Sequence, residues 1–276
     1  MSPKKKRRTQ EVRRCIFCGA TGLSKEHIWS DWLKTLIARR KEHTQDKAKF
    51  DFDNTTKTFG TLEPLVSKKV QGCPTQKKVR VVCEKCNNGW MSRAVEDAKP
   101  IASKLILGER CQYNEDDLRK LTIWLAITTV MQDFIGDSHI SPEDRVILMN
   151  TSEPPPDWTM WIGYYGGRRW YPFNHTHYAI KLEDRASKKT GIGPHTPECY
   201  VQIATFTLRS LLFHAFTATT PSVVATYRKF ISDRNFNLFQ LWPSTGNRLT
   251  WHRFPILDGE LELIVNQFSR ILGFRR

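Results

Sequence analysis

Apolar residues recur along the chain in two periods, and the switches between them outline the elements. In "DWLKTLIARRKEH" the apolar positions Trp32, Leu33, Leu36 and Ile37 fall at helical spacing, which predicts a helix over 31–43. "KFDFDNTTKTFG" alternates and predicts a short hairpin turning at Asn54. "VRVV" at 79–82 is β-branched and alternating, a strand that runs into Cys83. "NNGWMSRAVEDAKP" then reads as a helix that stops before Pro100. From about residue 112 the pattern changes. "NEDDLRKLTIWLAITTVMQDF" predicts a long apolar helix with acidic residues in its first turn, which favours a helix N-terminus. "SPEDRVILMN" predicts a second, with Ser141 as N-cap and Pro142 at its first position. Short strands are predicted at "WTMWIGYY", "HYAIKL", "CYVQIATFTL" and "NLFQLW", and "DGELELIVNQFSRIL" closes the chain as an amphipathic helix.

This succession predicts an α+β protein in three parts. Residues 1–14 form a basic arm, 15–110 a cysteine-bearing module, and 112–276 a mixed α+β domain. Hydrophobic residues make up 39% of the chain and aromatics 11%, enough for a packed core rather than a disordered chain. No stretch reaches the 18 or more consecutive apolar residues of a membrane helix. "MSPKKKRRTQ" has no apolar run of the kind that marks a secretory leader, so a cytoplasmic protein without membrane attachment is expected.

Charge narrows the class of partner. The formal net charge is +15, of which the first 14 residues supply +6 through seven Lys or Arg and one Glu. The rest of the chain is therefore basic in its own right. An excess of this size points to a polyanion, and nucleic acid is the commonest one. "PKKKRR" fits a nuclear-import signal and equally a basic arm that touches phosphates.

Seven cysteines in a chain expected to be intracellular favour metal over disulfides. Cys15 and Cys18 in "CIFC", and Cys83 and Cys86 in "CEKC", are two CxxC pairs. Each turn of this kind offers two thiolates to one side of an ion, and two turns complete a tetrahedral zinc site. The 64 residues between the pairs suit an inserted subdomain. Cys73, Cys111 and Cys199 stand alone and read as small buried hydrophobes.

A carboxylate and a histidine, Glu26 and His27, follow the first pair in "LSKEHIW" on a predicted short strand. Adjacent residues of a regular strand point to opposite faces, which would let one bind metal while the other faces substrate. A shared metal would hold that strand against the start of the helix bearing Asn87 and Asn88. The combination "CIFCG…LSKEHIWSDWL…VRVVCEKCNNGWMS" resembles the HNH endonuclease superfamily in its zinc-stapled ββα-metal form, as found in bacterial and phage proteins, over residues 15–100.

The resemblance implies a metal-dependent nuclease acting on DNA. His27 would be the general base, and Glu26 would hold a catalytic Mg2+ or Mn2+. Asn87, directly after Cys86, would be the further metal ligand, with Asn88 able to serve instead. The four cysteines would carry structural Zn2+. In one respect the chain departs from the family: the middle Asn that orients the histidine is missing from "TQKKVRVVC". Gln76 or a backbone carbonyl is then the expected orienter, or else the module binds nucleic acid through its zinc-stapled frame without cleaving it. Lys77 and Lys78, just before the strand into Cys83, are placed to hold phosphates. Arg168 and Arg169 in "GGRRW" are candidates for phosphate contact beside an aromatic that can stack on a base. The expected partner is double-stranded DNA; no oligomeric state can be read from the pattern. Of the remaining histidines, His43 reads as an exposed helix residue, and His175 and His177 in "NHTH" have spacing suited to a strand.

Overall fold

The computed structural model describes residues 13–38, 42–53, 58–134, 140–182, 199–251 and 254–271. The basic arm up to residue 12, the turn at Asn54 and the "GDSH" loop with Asp137 and His139 lie outside them. The fold is mixed α+β. Among the described residues no helix is long and apolar enough to cross a membrane.

Strand β1 (Leu23–His27) pairs antiparallel with β4 (Lys78–Cys83), placing Leu23 opposite Cys83, Glu26 opposite Val79 and His27 opposite Lys78. Between them lies a long antiparallel hairpin, β2 (Glu42–Asp53) with β3 (Thr58–Gln71). The predicted helix over 31–43 is thus corrected. Only a short 3₁₀ turn forms, Asp31–Thr35, and His43 falls in β2. Leu33 and Ile37 are buried, but the residues that follow, "ARRKEH", offer no large apolar side chain to hold further turns against the core.

After β4 the chain makes one helical turn, α1 (Glu84–Cys86), a widened π-type turn over Asn87–Met91, and then helix α2 (Ser92–Leu107). The backbone departs from helical geometry at Gly89, so the two helical pieces meet at a kink. Helix α2 does not stop before Pro100, as its sequence suggests, but runs through it. A proline inside a helix costs about 3 kcal/mol. Beyond it Ile101, Leu105 and Ile106 are all buried, and each is worth roughly 1.5–3 kcal/mol, so packing wins. Gly108, in the left-handed conformation at φ 74°, ends the helix.

Helix α3 (Glu115–Asp133) forms with the acidic first turn the sequence predicts and carries a capping box at Asn114 and Asp117, and α4 (Pro142–Thr151) is capped by Ser141 as predicted. Short strand β5 (Gln112–Tyr113) precedes α3. The main sheet is antiparallel, in the order β10-β6-β9-β8-β7. Its strands are β6 (Thr159–Tyr164), β7 (Phe173–Leu182), β8 (Cys199–Leu208), β9 (Leu211–Ala218) and β10 (Phe239–Trp242). Strand β11 (Leu249–Thr250) pairs with β5. Helices α5 (Pro221–Asp233) and α6 (Asp258–Ile271) complete the chain.

Each face of the sheet is covered. On one, Ile203, Phe216 and Trp161 pack against Val224, Tyr227 and Ile231 of α5, while Leu212 and Tyr165 pack against Leu261 and Ile264 of α6. On the other, Ala204, Phe206, Phe213 and Ala215 join a large core that includes α2, α3 and the start of the chain. Cys15, Phe17, Ile28, Trp29 and Leu33 belong to the same core as Trp124 and Phe206. The expected boundary at 110–112 falls in the connection between α2 and α3, and one core runs across it.

Candidate active site and metal centre

The two CxxC pairs converge. The sulfurs of Cys15, Cys18, Cys83 and Cys86 all lie within 4.8 Å of one another, positioned to hold one metal ion. Local backbone forces explain the convergence. Gly19, at φ 72°, lets the first turn close with its N–H on the Cys15 carbonyl at 2.9 Å. The Ile16 N–H donates to the Val81 carbonyl at 2.9 Å, which fastens this turn to β4, and β4 delivers Cys83.

At Cys15 the environment favours thiolate. Burial raises the Cys15 thiol, but backbone N–H groups of Cys18, Cys83 and Phe17 outweigh it and bring the pKa down to about 7. Burial, with the sulfurs around it, drives Cys86 the other way, the cost of crowding thiolates without a cation. The buried indole N–H of Trp90 acts on the Cys86 sulfur in the direction that favours thiolate. Four soft donors at this spacing, with an indole N–H beside one of them, fit a divalent ion such as structural zinc. Cys73 is buried and its sulfur lies 3.0 Å from the Thr75 hydroxyl; it stands outside this group, as does half-buried Cys111.

Directly beyond the metal centre, the strand and the helix start meet. Asn87 donates from Nδ2 to the Ser24 hydroxyl at 3.1 Å, and its side chain acts on the Glu26 carboxylate in the direction that favours ionisation. With its N–H groups turned to β1, Asn87 keeps its Oδ1 as an acceptor. Desolvation raises the Glu26 pKa against the help of Asn87, the His27 backbone and Lys78. A partly buried carboxylate near a neutral amide would be relieved by a cation, and carboxylate plus amide oxygen is hard-ligand chemistry of the Mg2+ type. Asn88, one residue on, is exposed.

His27 has a different set of neighbours. Its Nε2 lies 3.5 Å from Oδ1 of Asp31. Burial lowers its pKa, Lys78 and Lys34 push the same way, and Asp31 opposes them, so the ring is neutral near pH 7. Glu26 and His27 therefore serve separate surroundings, although the strand is irregular between Ser24 and Glu26. Gln76, the expected orienter, is exposed. The Lys77 carbonyl is engaged by the Ile28 N–H at 3.0 Å, and the side chain that reaches His27 is Asp31. Sequence reading passed over Asp31. The signal was its spacing, four residues after the histidine, and only the sharp turn at Ser30 makes that spacing a contact.

Lys77 and Lys78 are both exposed beside this site, and Lys78 acts on Glu26 and His27 alike. Arg168 and Arg169 are engaged elsewhere. Their backbone N–H groups donate to Asp258 at the start of α6, and the Arg169 guanidinium pairs with Glu262. The "GG" of this turn has a packing reason: a Cβ on Gly167 would sit 2.6 Å from the Tyr165 hydroxyl. His175 stacks edge-on near Trp29, and His177 lies 2.7 Å from Gln202 and 3.8 Å from the buried Asp133.

The site is held from behind by the rest of the chain. Trp29, two residues after His27, is buried edge-on against Phe173 and Phe206, and the Trp124 indole N–H donates to Ser30 Oγ at 2.9 Å. Phe17 and Trp90 meet edge to face beside the metal centre, with ring centroids 5.1 Å apart. Comparison with protein-family models, with curated proteins and with solved structures finds no match to this chain.

Proposed function

We propose that this chain is an HNH-type endonuclease that hydrolyses phosphodiester bonds in double-stranded DNA. One observation carries the reading: Asn87, at the helix start that follows Cys86, bonds Ser24 of the strand that bears Glu26 and His27, at a strand–helix junction where four cysteines converge. This juxtaposition supports the ββα-metal reading that the motif resemblance suggests. Zn2+ would fill the cysteine cage as a structural ion. Glu26 and Asn87 would hold a Mg2+ or Mn2+, which when bound supplies charge neutralisation at the scissile phosphate.

The chain's own groups do the rest. His27, neutral at physiological pH, accepts a proton from water. The hydroxide forms a bond to phosphorus, the bond to the 3′ oxygen breaks, and that oxygen takes a proton from solvent. Lys78 and Lys77 hold the backbone beside the reacting group, and the net charge of +15 draws the duplex in. Arg168 and Arg169 contribute backbone contacts only where the duplex reaches the α6 side.

The test is cleavage of supercoiled plasmid by zinc-loaded protein with and without Mg2+ or Mn2+. The wild type is expected to nick or linearise it only with added metal. His27→Ala should lose roughly 10²–10⁴-fold in rate, the usual contribution of a general base. Retained DNA binding with no cleavage by the wild type would favour the second reading, a zinc-stapled binding module without catalysis. The absence of the middle Asn is the observation behind that reading.

A further inference from the structure

A base of this kind works only if one ring nitrogen is held so that the other faces water, and the residue that usually does this is missing here. Four residues after His27 the chain turns sharply into the 3₁₀ turn that begins at Asp31. The turn is anchored independently of the site. The Leu33 N–H donates to the Ser30 carbonyl at 3.0 Å, Ser30 is gripped by Trp124, and Leu33 is fully buried. Asp31 is therefore delivered to a fixed place, with Oδ1 at 3.5 Å from His27 Nε2 and Oδ2 bonded to the Lys34 ammonium. Catalytic hydrogen bonds are often this long before substrate binds.

We propose that Asp31 is the positioning residue for His27, with Lys34 holding Asp31 in turn. The carboxylate accepts the Nε2–H of the neutral ring, which leaves the Nδ1 lone pair for water, and it balances the imidazolium once Nδ1 has taken the proton. This is the division of roles between carboxylate and histidine seen in hydrolytic triads, built here from a turn rather than from the family's asparagine. The inference rests on the nuclease reading for its kinetic consequence but not for its geometry.

The experiment uses the full-length, zinc-loaded protein and has two arms. In the first, single-turnover cleavage of supercoiled plasmid with Mn2+ is followed for the wild type, Asp31→Ala, Asp31→Asn and Lys34→Ala, with duplex affinity measured in parallel. Asp31→Ala should slow cleavage roughly 10–100-fold, as loss of a supporting partner does, with affinity unchanged or higher. Asp31→Asn should restore part of the rate, because its amide oxygen still accepts the Nε2–H. Adding Asp31→Ala to His27→Ala should cost nothing further, since the two act as one unit. In the second arm, the nitrogen resonances of His27 are recorded at pH 8. The wild type should show an Nε2–H proton protected from exchange, and Asp31→Ala should lose it. Wild-type cleavage rates in Asp31→Ala, or an Nε2–H signal indifferent to the substitution, would overturn the proposal. If the wild type fails to cleave while the signal depends on Asp31, the nuclease reading falls and the positioning role stands. Asp31 is about half exposed, and an unchanged melting temperature in its variants will separate these effects from misfolding.

Discussion

Asn87 and Asn88 are chemically identical neighbours, and the fold treats them differently. Asn87 faces β1, bonds Ser24 and favours the ionised form of Glu26, whereas Asn88 is exposed. Asn87 continues the helical turn of α1, and successive residues of such a turn point about 100° apart, so the two side chains face different surroundings. Asn87→Ala should abolish metal-dependent cleavage and cost about 1 kcal/mol in unfolding free energy through its lost hydrogen bonds. Asn88→Ala should leave both within error, as surface changes do at about ±0.5 kcal/mol. Urea unfolding and plasmid cleavage on the two variants decide which of them belongs to the site. Neither their identities nor their spacing distinguishes them in the sequence; only the direction of each side chain does.

At the scale of elements, one strand escaped the hydrophobic pattern because burial hides it. Strand β9 is buried at every position, so no alternation marks it, and it follows β8 through a tight turn with Arg209 at φ 51°. Helix α5 covers it and builds a closed polar network in an apolar layer. His214 of β9 bonds Thr205 at one ring nitrogen and the Tyr227 hydroxyl at the other, both at 2.7 Å. Burial lowers the His214 pKa to about 3. In the unfolded chain a histidine titrates near 6.5. Between these values the unfolded state binds a proton that the folded state refuses. Stability is therefore fully present above about pH 6.5 and falls as the pH drops through the window towards 3. The expected slope from this group is about 1.4 kcal/mol per pH unit. Urea midpoints at pH 7, 6 and 5 should show it, and His214→Gln should flatten it. A slope unchanged by the substitution would mean other groups carry the acid limb.

At the scale of the molecule, the metal centre is not an appendage. Cys15, Cys83 and Cys86 lie in the core that also contains Trp29, Trp124 and Phe206. Removing the ion exposes four thiols at one edge of that core and releases the tie between the first turn and the β4–α1 junction. Chelation should then lower the melting temperature of the whole chain in one transition, by roughly 10 °C or more, given that 1 kcal/mol shifts a chain of this order by roughly 2–4 °C. Calorimetry of metal-loaded and stripped protein checks this. Two separate transitions, with the later one unmoved, would mean the first 110 residues fold independently of the sheet. The same continuity explains how a short strand can present Glu26 and His27 firmly: Ile28 and Trp29 plug directly into the core beneath the main sheet.

The sequence by itself determined what depends on residue type and short spacing. The two CxxC pairs, the strand into Cys83, the capped helices α3 and α4, and the Glu26–His27 and Asn87 candidates could all be named from neighbours within a few positions, because turns, caps and metal knuckles are local chemistry. It went astray where a local preference met distant packing, as at Pro100, which the core overrides, and at 31–43, where too little apolar surface follows to sustain a helix. What the chain's tertiary packing settles is that Asp31 lies beside His27, that Asn87 rather than Asn88 turns to β1, that Arg169 pairs with Glu262, and that one core joins both halves. Each of these depends on where a chain bend points a side chain relative to residues tens of positions away. That is set by the whole set of buried contacts at once.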